Sequence, residues 1–485
     1  MARFSTTDSW REFCGPFPAL WPGFRPQILG GSSVVCFRRY GPVFDHRFGR
    51  AAARATAVAF TAVGKEKFRA LKGMRDVMSP DSERHRALVD VFAEEARLAG
   101  YGHIMSPIVE ELGVFLRVGE STDVVTKEMY DFEDKDKDRT RIALRPELTA
   151  SVVRAFVQHN PQDLPWKVWY EGPQFRRERP QAGRYRQFSQ VGIEVLGSSD
   201  ATIDVEVIAL GWRFYERLGM DQVTLLLNSL GDESCRPQYF AALEEYLRDR
   251  VGELSEGSQQ TLEKNPLRVL DSKRREDQSI IAEAPLMVDF LTEETAEHFA
   301  AVRDGLEALE IPYEISPRLV RGLDYYTRTT FEFASTALEN AQNAVGGGGR
   351  YDGLAESLGG KPTPGIGFAL GVDRILLACD AEETFAAPTG EPDVFIVDLT
   401  GGKEATVIAD QLRTAGIAAQ RGFDGRSMKA QMKIADRSNA PVALIIGEDE
   451  VENNVVTVRD MVGDAGQTQI ARSDLLTELL GRQDR

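Results

Sequence analysis

Two stretches, WKVWYEG (166–172) and RQFSQVGIEVLG (186–197), are rich in β-branched and aromatic residues and flank one loop, PQFRRERPQAGRY. The interval is shorter than a strand–helix–strand crossover, so the two segments are expected to pair antiparallel. No other feature restricts the fold as much. It requires an antiparallel sheet whose faces must be covered by helices. The loop is also chemically unusual. Arg176, Arg177, Arg179, Arg184 and Arg186 face a single acid, Glu178. Five guanidinium groups repel one another unless an anion joins them, and arginine fits phosphate bidentately. Gly172, Pro173, Pro180 and Gly183 shape the loop. A phosphate site is expected here, against the plainer reading of a solvated basic hairpin tip.

The second strand adds to this. Val191, Ile193 and Val195 would face the core, and Gln190, Gly192 and Glu194 the other side. A carboxylate on an inner face needs a partner or must protonate. Either this surface faces solvent, or a small polar ligand lies over Gly192. In LRPELT, Glu147 and Thr149 precede a helix. Thr149 can N-cap it and Glu147 can pair with Arg145, or both can receive an ammonium group. In GFALGVDRIL, Arg374 falls in the first turn of a helix, where the dipole disfavours a cation unless an anion also sits there. The alternative is a surface ion pair with Asp373.

Elsewhere the chain reads as α/β. SPDSERHRALVDVFAEEARLAG is a helix with Ser79 as N-cap, Pro80 at N1, Gly100 as its stop and an apolar stripe of Leu88, Val91, Phe92, Ala96 and Ala99. HIMSPIVE is expected as one short strand. Residues 232–316 are charged and mostly helical, an accessory segment within a region spanning 63–380. RGLDYYTRTTFEF (321–333) ends in a strand but opens with an arginine and two tyrosines that a simple core strand does not need. The GGGG run at 346–349 is not a P-loop, because no Gly-Lys-Ser/Thr follows. Residues 381–392 have linker composition, and 393–485 alternate strand and helix as a small α/β domain.

The 485 residues carry a net charge of −17, so contact with nucleic acid must be local and strongly salt-dependent. No apolar run is long enough to span a membrane. Four cysteines, far apart, form no CxxC pair and give no metal-ligand signature. Residues 1–62 differ from the rest, with eight arginines, no lysine and only Asp8, Glu12 and Asp45 as acids. They read as a mis-assigned or dispensable extension, with an organelle-targeting leader as the alternative.

From about residue 65 onward the combination resembles the class II aminoacyl-tRNA synthetases, and among them the histidine-specific family. The helix and strand ending at Pro107 look like motif 1, YEGPQFRRERPQAGRYRQFSQVGIEVLG like motif 2 and GIGFALGVDRIL like motif 3. RGLDYYTRTTFEF looks like the histidine-specific signature, and RSMKAQMKIADRSNAPVALIIGEDE is similar to the anticodon-binding domain. The resemblance implies a six-stranded antiparallel catalytic sheet with flanking helices, a C-terminal α/β anticodon-binding domain and a cytoplasmic homodimer. It implies ATP and Mg²⁺, L-histidine and the histidine tRNA. Glu147, Thr149 and Gln190 would hold the α-ammonium, and Glu194 and Tyr326 the imidazole, with Tyr325 lining the pocket. Arg176 and Arg321 would grip the reacting carboxylate and α-phosphate. Arg176, Glu178, Arg184 and Arg374 would bind ATP, with Arg374 at its γ-phosphate end. Gln181 lies where relatives contact the acceptor end of tRNA. Leu148 stands where glycine is common in the family. Two rival readings share these features in part: a synthetase-like regulatory subunit of ATP phosphoribosyltransferase, and a non-catalytic tRNA sensor.

Overall fold

The computed structural model describes residues 68–485 except 118, 120–123, 136–137, 271, 320–324, 339–342, 389, 463–465 and 484–485. The extension at 1–62 and Arg321 therefore lie outside the described residues.

In chain order the first strands are β1 (Gly102–His103), β2 (Val109–Glu111), β3 (Tyr130–Glu133), β4 (Arg141–Leu144), β5 (Trp166–Phe175) and β6 (Gln187–Leu196). They are followed by β7 (Val223–Ser229), β8 (Glu314–Ile315), β9 (Thr327–Ser335), β10 (Ala344–Arg350) and β11 (Gly365–Gly371). The main sheet has the order β1-β5-β6-β11-β10-β9-β7-β8. Its six inner strands pair antiparallel throughout. At the edges, β1 and β8 add two residues each in parallel. The pair predicted from the short loop is β5 and β6, with Tyr170 opposite Gly192 and Val168 opposite Glu194. HIMSPIVE is not one strand. It breaks into β1 on the main sheet and β2 on a separate three-stranded sheet, β2-β4-β3. Arg145 occupies the gap, donating to the carbonyls of Ser106 (2.8 Å) and Pro173 (2.9 Å).

One face of the main sheet meets the helices Asp81–Leu98, Ala201–Arg217 and Glu293–Ala308. Val191, Ile193 and Val195 are buried there as predicted, beside Phe331, Phe333 and Phe368. Phe92 from the first helix meets Phe214 edge-to-face at 5.2 Å. Each buried phenylalanine of this kind contributes roughly 1.5–3 kcal/mol through removal from water. Ser79 does not cap the first helix. Pro80 stands at the cap position without a side-chain hydrogen bond, and Asp81 and Glu83 supply acidic charge in the first turn.

The other face is covered by the helices Thr149–His159 and Leu354–Ser357 around Val153, Phe156, Leu196 and Tyr351. Glycine is required where β10 runs against β11. A Cβ on Gly348 would lie 2.0 Å from the Gly367 carbonyl oxygen, so the GGGG run is part of a tightly packed strand.

Residues 232–316 are mostly helical and hold a core of their own, including Tyr239, Leu243, Val269 and Ile281. The segment's expected end at 316 is too late for that core. Helix Glu293–Ala308 places Phe299, Val302 and Leu306 in the main core instead. Within the segment Asp277 accepts from the hydroxyls of Ser255, Ser258 and Ser272. Burial acts to raise its pKa, but these hydrogen bonds hold it at about 2.

The C-terminal sheet contains β12 (Val394–Asp398), β13 (Ala419–Arg421), β14 (Val442–Ile446), β15 (Val455–Asp460) and β16 (Gln467–Ala471). Its order is β13-β12-β14-β15-β16. The first three strands are parallel, with helices Lys403–Thr414 and Met428–Arg437 between them in sequence, and the last two are antiparallel.

Candidate active site

A cavity of about 230 Å³ opens on the main sheet, walled by β6, β10 and β11, the hairpin between β5 and β6, and the starts of two helices. Among the predicted residues, Glu147, Thr149, Arg176, Glu178, Arg184, Gln190, Tyr325, Tyr326 and Arg374 line it.

One end is acidic and polar. Glu147 is only 5% exposed. Its Oε1 accepts from the Ala150 amide at 2.9 Å, so this residue, not Thr149, caps the helix that follows. Glu147 does not pair with Arg145, which is spent on backbone carbonyls. Glu147 Oε2 and Gln190 Oε1 are buried and find no hydrogen-bond partner among the described residues. Two unpaired acceptors on one wall are costly unless a donor arrives. Burial raises the Glu147 pKa, opposed by hydrogen bonds from its helix start.

Glu194 lies one layer beneath this wall. It is fully buried. Its Oε1 accepts from Thr149 Oγ1 at 2.7 Å and from the Tyr170 hydroxyl at 3.2 Å, and its Oε2 from the Tyr351 hydroxyl at 2.5 Å. Burial pushes its pKa up to about 8 against these three hydroxyls. The space expected over Gly192 does not exist. The Tyr170 ring and the Phe368 carbonyl fill it, each within 2.5 Å of where a Cβ would stand. Glu194 is thus not on the cavity wall. It anchors Thr149, which is, and Tyr351, whose ring packs on Tyr325 at 5.8 Å. Tyr325 in turn leans on Tyr326 at 4.6 Å.

The other end is cationic. Arg176 donates through Nε to the Pro146 carbonyl at 2.8 Å and lies over the Phe188 ring. Arg184 pairs with Glu178 at 2.6 Å. Arg374 donates to the Ala344 carbonyl at 2.8 Å. It does not pair with Asp373, which is held by Arg75 and the Ser189 amide. Burial, then the nearby Arg184, lowers the Arg374 pKa. The hairpin therefore divides its arginines. Arg176 and Arg184 reach the cavity, Arg186 donates to the Glu178 carbonyl, and Arg177 and Arg179 are exposed. An acceptor-rich end and a cation-rich end in one cavity suit a zwitterionic amino acid placed head-on to a polyphosphate.

A histidyl-tRNA synthetase family model matches residues 73–375. The chain belongs to the histidyl-tRNA synthetase family. An anticodon-binding domain model matches residues 393–482. Histidine–tRNA ligases of Rhodococcus erythropolis and Streptomyces coelicolor are 49% and 47% identical to it. Those matches cover 85% and 86% of this chain and 97% and 98% of theirs. The crystal structure of the apo Staphylococcus aureus histidyl-tRNA synthetase matches with a TM-score of 0.72 at 34% identity, over 85% of this chain and all of that one. A Bacillus halodurans chain described as an ATP phosphoribosyltransferase regulatory subunit/histidyl-tRNA synthetase matches with a TM-score of 0.56 at 21% identity, a likeness of fold alone. As a histidyl-tRNA synthetase the chain is an aminoacyl-tRNA ligase, a histidine–tRNA ligase.

Sequence reasoning missed Tyr170 and Tyr351. Tyr351 directly follows the GGGG-Arg segment, and its strand lies next but one to Glu194 in the sheet. A tyrosine ending a glycine-rich strand was the available signal.

Proposed function

We propose that the cavity joins L-histidine to ATP, forming histidyl-adenylate and pyrophosphate, and then passes the histidyl group to the 3′-terminal ribose of the histidine tRNA. The observation that carries this reading is that Glu147 and Gln190, each with a buried acceptor oxygen lacking a partner among the described residues, line the same cavity as Arg176, Arg184 and Arg374. The acceptors and Thr149 receive the α-ammonium. The histidine carboxylate then points toward Arg176. It is already anionic, so its attack on the α-phosphate needs no general base. Arg176, Arg184 and Arg374 offset the charge that builds on the α-phosphate and on the departing pyrophosphate, Arg374 at the γ end. Arg321 is assigned to the carboxylate and α-phosphate from its motif alone.

The imidazole is assigned to Tyr326 and to the layer of hydroxyls that Glu194 organises. A substrate without ring nitrogens forfeits hydrogen bonds to this buried polar layer, which discriminates against it. Among the described residues no group of three or more His, Cys, Asp or Glu could hold a metal unaided. Glu332 and Glu178, the latter paired with Arg184, are the cavity-wall carboxylates that would hold Mg²⁺, which takes one or two carboxylates and completes its shell with phosphate oxygens and water. When bound, it would share the charge of the β- and γ-phosphates.

Three further assignments follow. Arg421 lies over the exposed ring of Phe423 at 4.2 Å beside Arg426, a surface suited to stacking single-stranded bases. Exposed Leu98, Met105, Ile108 and Val109 around the motif 1 segment support a homodimer. No described helix is long and apolar enough to cross a membrane, and action in the cytoplasm is proposed from the family.

The deciding experiment is histidine-dependent ATP–pyrophosphate exchange by the purified full chain. Exchange that requires histidine supports the reading. Its absence under conditions where another histidine–tRNA ligase works would overturn this assignment of the cavity.

A further inference from the structure

The segment just before the first helix, GMRD, is not part of the cavity wall, yet it grips two pieces of it. Arg75 Nη2 pairs with Asp373 Oδ1 at 2.8 Å, and the same guanidinium lies over the Tyr185 ring, 4.4 Å from its centroid. Tyr185 belongs to the arginine hairpin, and Asp373 to the first turn of helix Val372–Glu382. Both line the cavity. Asp373 Oδ2 also accepts from the Ser189 amide at the start of β6, at 3.3 Å. Two residues earlier, the Gly73 carbonyl accepts from the Arg186 amide at 2.7 Å. Gly73 has φ +81°, and a Cβ there would stand 2.8 Å from side-chain carbons of both Pro180 and Arg186. Chain and hairpin therefore fit together too closely for a side chain at this position. Nine residues on, Arg84 donates to the Phe385 carbonyl at 2.7 Å and pairs with Asp380, beside the far end of the same helix.

We propose that Arg75 is a positioning residue for adenylate formation, acting through Asp373 and Tyr185. The electrostatic reason lies in the neighbouring position. Arg374 follows Asp373 directly and needs its guanidinium free for phosphate. An unneutralised Asp373 would compete with the nucleotide for Arg374. Arg75 occupies that carboxylate from outside the cavity. By stacking on Tyr185 it also holds the mutually repelling arginines of the hairpin against the helix before any anion is present. The proposal rests on reading the cationic end as the ATP site.

The test uses the full chain and two independent measurements. In pyrophosphate exchange, Arg75→Ala is expected to raise the KM for ATP about tenfold while leaving the KM for histidine within about twofold, the scale of one stacking contact plus one partly exposed ion pair. Arg75→Lys, which keeps the charge, should recover most of that loss. Adding Asp373→Asn to Arg75→Ala should also recover part of it, because the competing carboxylate is gone. In limited trypsin digestion followed by mass mapping, Arg75→Ala should be cut several-fold faster within 176–186 than the parent chain. An unchanged KM for ATP, or equal rises for ATP and histidine without faster hairpin cleavage, overturns the proposal. If Arg75→Ala does not fold, Arg75→Gln is judged by the same criteria. Loss of exchange in the parent chain refutes the ATP reading itself, and the digestion then still decides whether Arg75 holds the hairpin.

Discussion

The Tyr351 hydroxyl donates to Glu194 Oε2 at 2.5 Å, tying the strand end after the glycine run to a carboxylate with no solvent exposure. Tyr351→Phe keeps the ring against Tyr325 and deletes only this donor. It should destabilise the protein by about 1–3 kcal/mol, the cost of removing a partner from a buried carboxyl, and raise the KM for histidine more than that for ATP. Chemical denaturation and exchange kinetics on the same preparation check both.

Glu194 also sets a pH dependence. Its pKa is about 8 when folded, against an ordinary 4.5. Between those values the folded chain binds more protons at this site than the unfolded chain does. Its contribution to stability therefore falls as pH rises through roughly 4.5–8. Glu194→Gln should flatten that slope, by about 3–5 kcal/mol across the window at roughly 1.4 kcal/mol per unit. Denaturation midpoints at pH 5 and pH 8 measure it, and an equal slope in both proteins would count against the assignment.

Glu147→Gln removes the charge facing the α-ammonium while keeping a hydrogen-bonding cap for Ala150. The KM for histidine should rise about 10–100-fold, with ATP little affected. Burial raises the pKa of Glu147, so the parent enzyme should lose histidine affinity as pH falls, because the neutral carboxyl no longer pairs with ammonium. Calorimetric titration with histidine at several pH values reads this directly.

At the other end, Arg374→Ala should raise the KM for ATP and lower kcat, because its charge matters most as pyrophosphate leaves. Histidine binding without ATP should be unchanged by the same substitution. Loss of histidine binding in that variant would mean that Arg374 supports the fold rather than the phosphate.

Gly367→Ala tests how tightly the lower layer is built. A Cβ there would stand 1.8 Å from Glu194 Oε2 and 2.4 Å from the Ile193 carbonyl oxygen. No flexible side-chain end is available to yield on the backbone side, so a loss of several kcal/mol or failure to fold is expected. Thermal melts read it.

A chain shortened to begin at residue 63 should keep full exchange activity, because the described site and both family matches lie at or beyond residue 73. Comparison of kcat and KM with the full chain checks it.

The amino-acid sequence by itself determined the antiparallel sheet, because a 13-residue Pro- and Gly-rich interval leaves β5 and β6 no other way to pair. It also pointed to the arginine hairpin, two of whose guanidinium groups, Arg176 and Arg184, line the cavity. Glu147 and Arg374 were legible as charged groups at helix starts, and Gln190 as a polar group on the strand face opposite the core residues. Long-range contacts carried the rest. Alternation along β6 put Glu194 on the face away from Val191, Ile193 and Val195, but only the packed sheet shows Tyr170 filling the space over Gly192 and Tyr351 arriving from β10. Local pattern likewise made Ser79 a cap and Asp373 a partner for Arg374. The fold overruled both. Residues hundreds of positions apart, such as Arg75 and Asp373, meet only once the sheet has closed, and a buried carboxylate takes whichever partners that closure brings within hydrogen-bond distance.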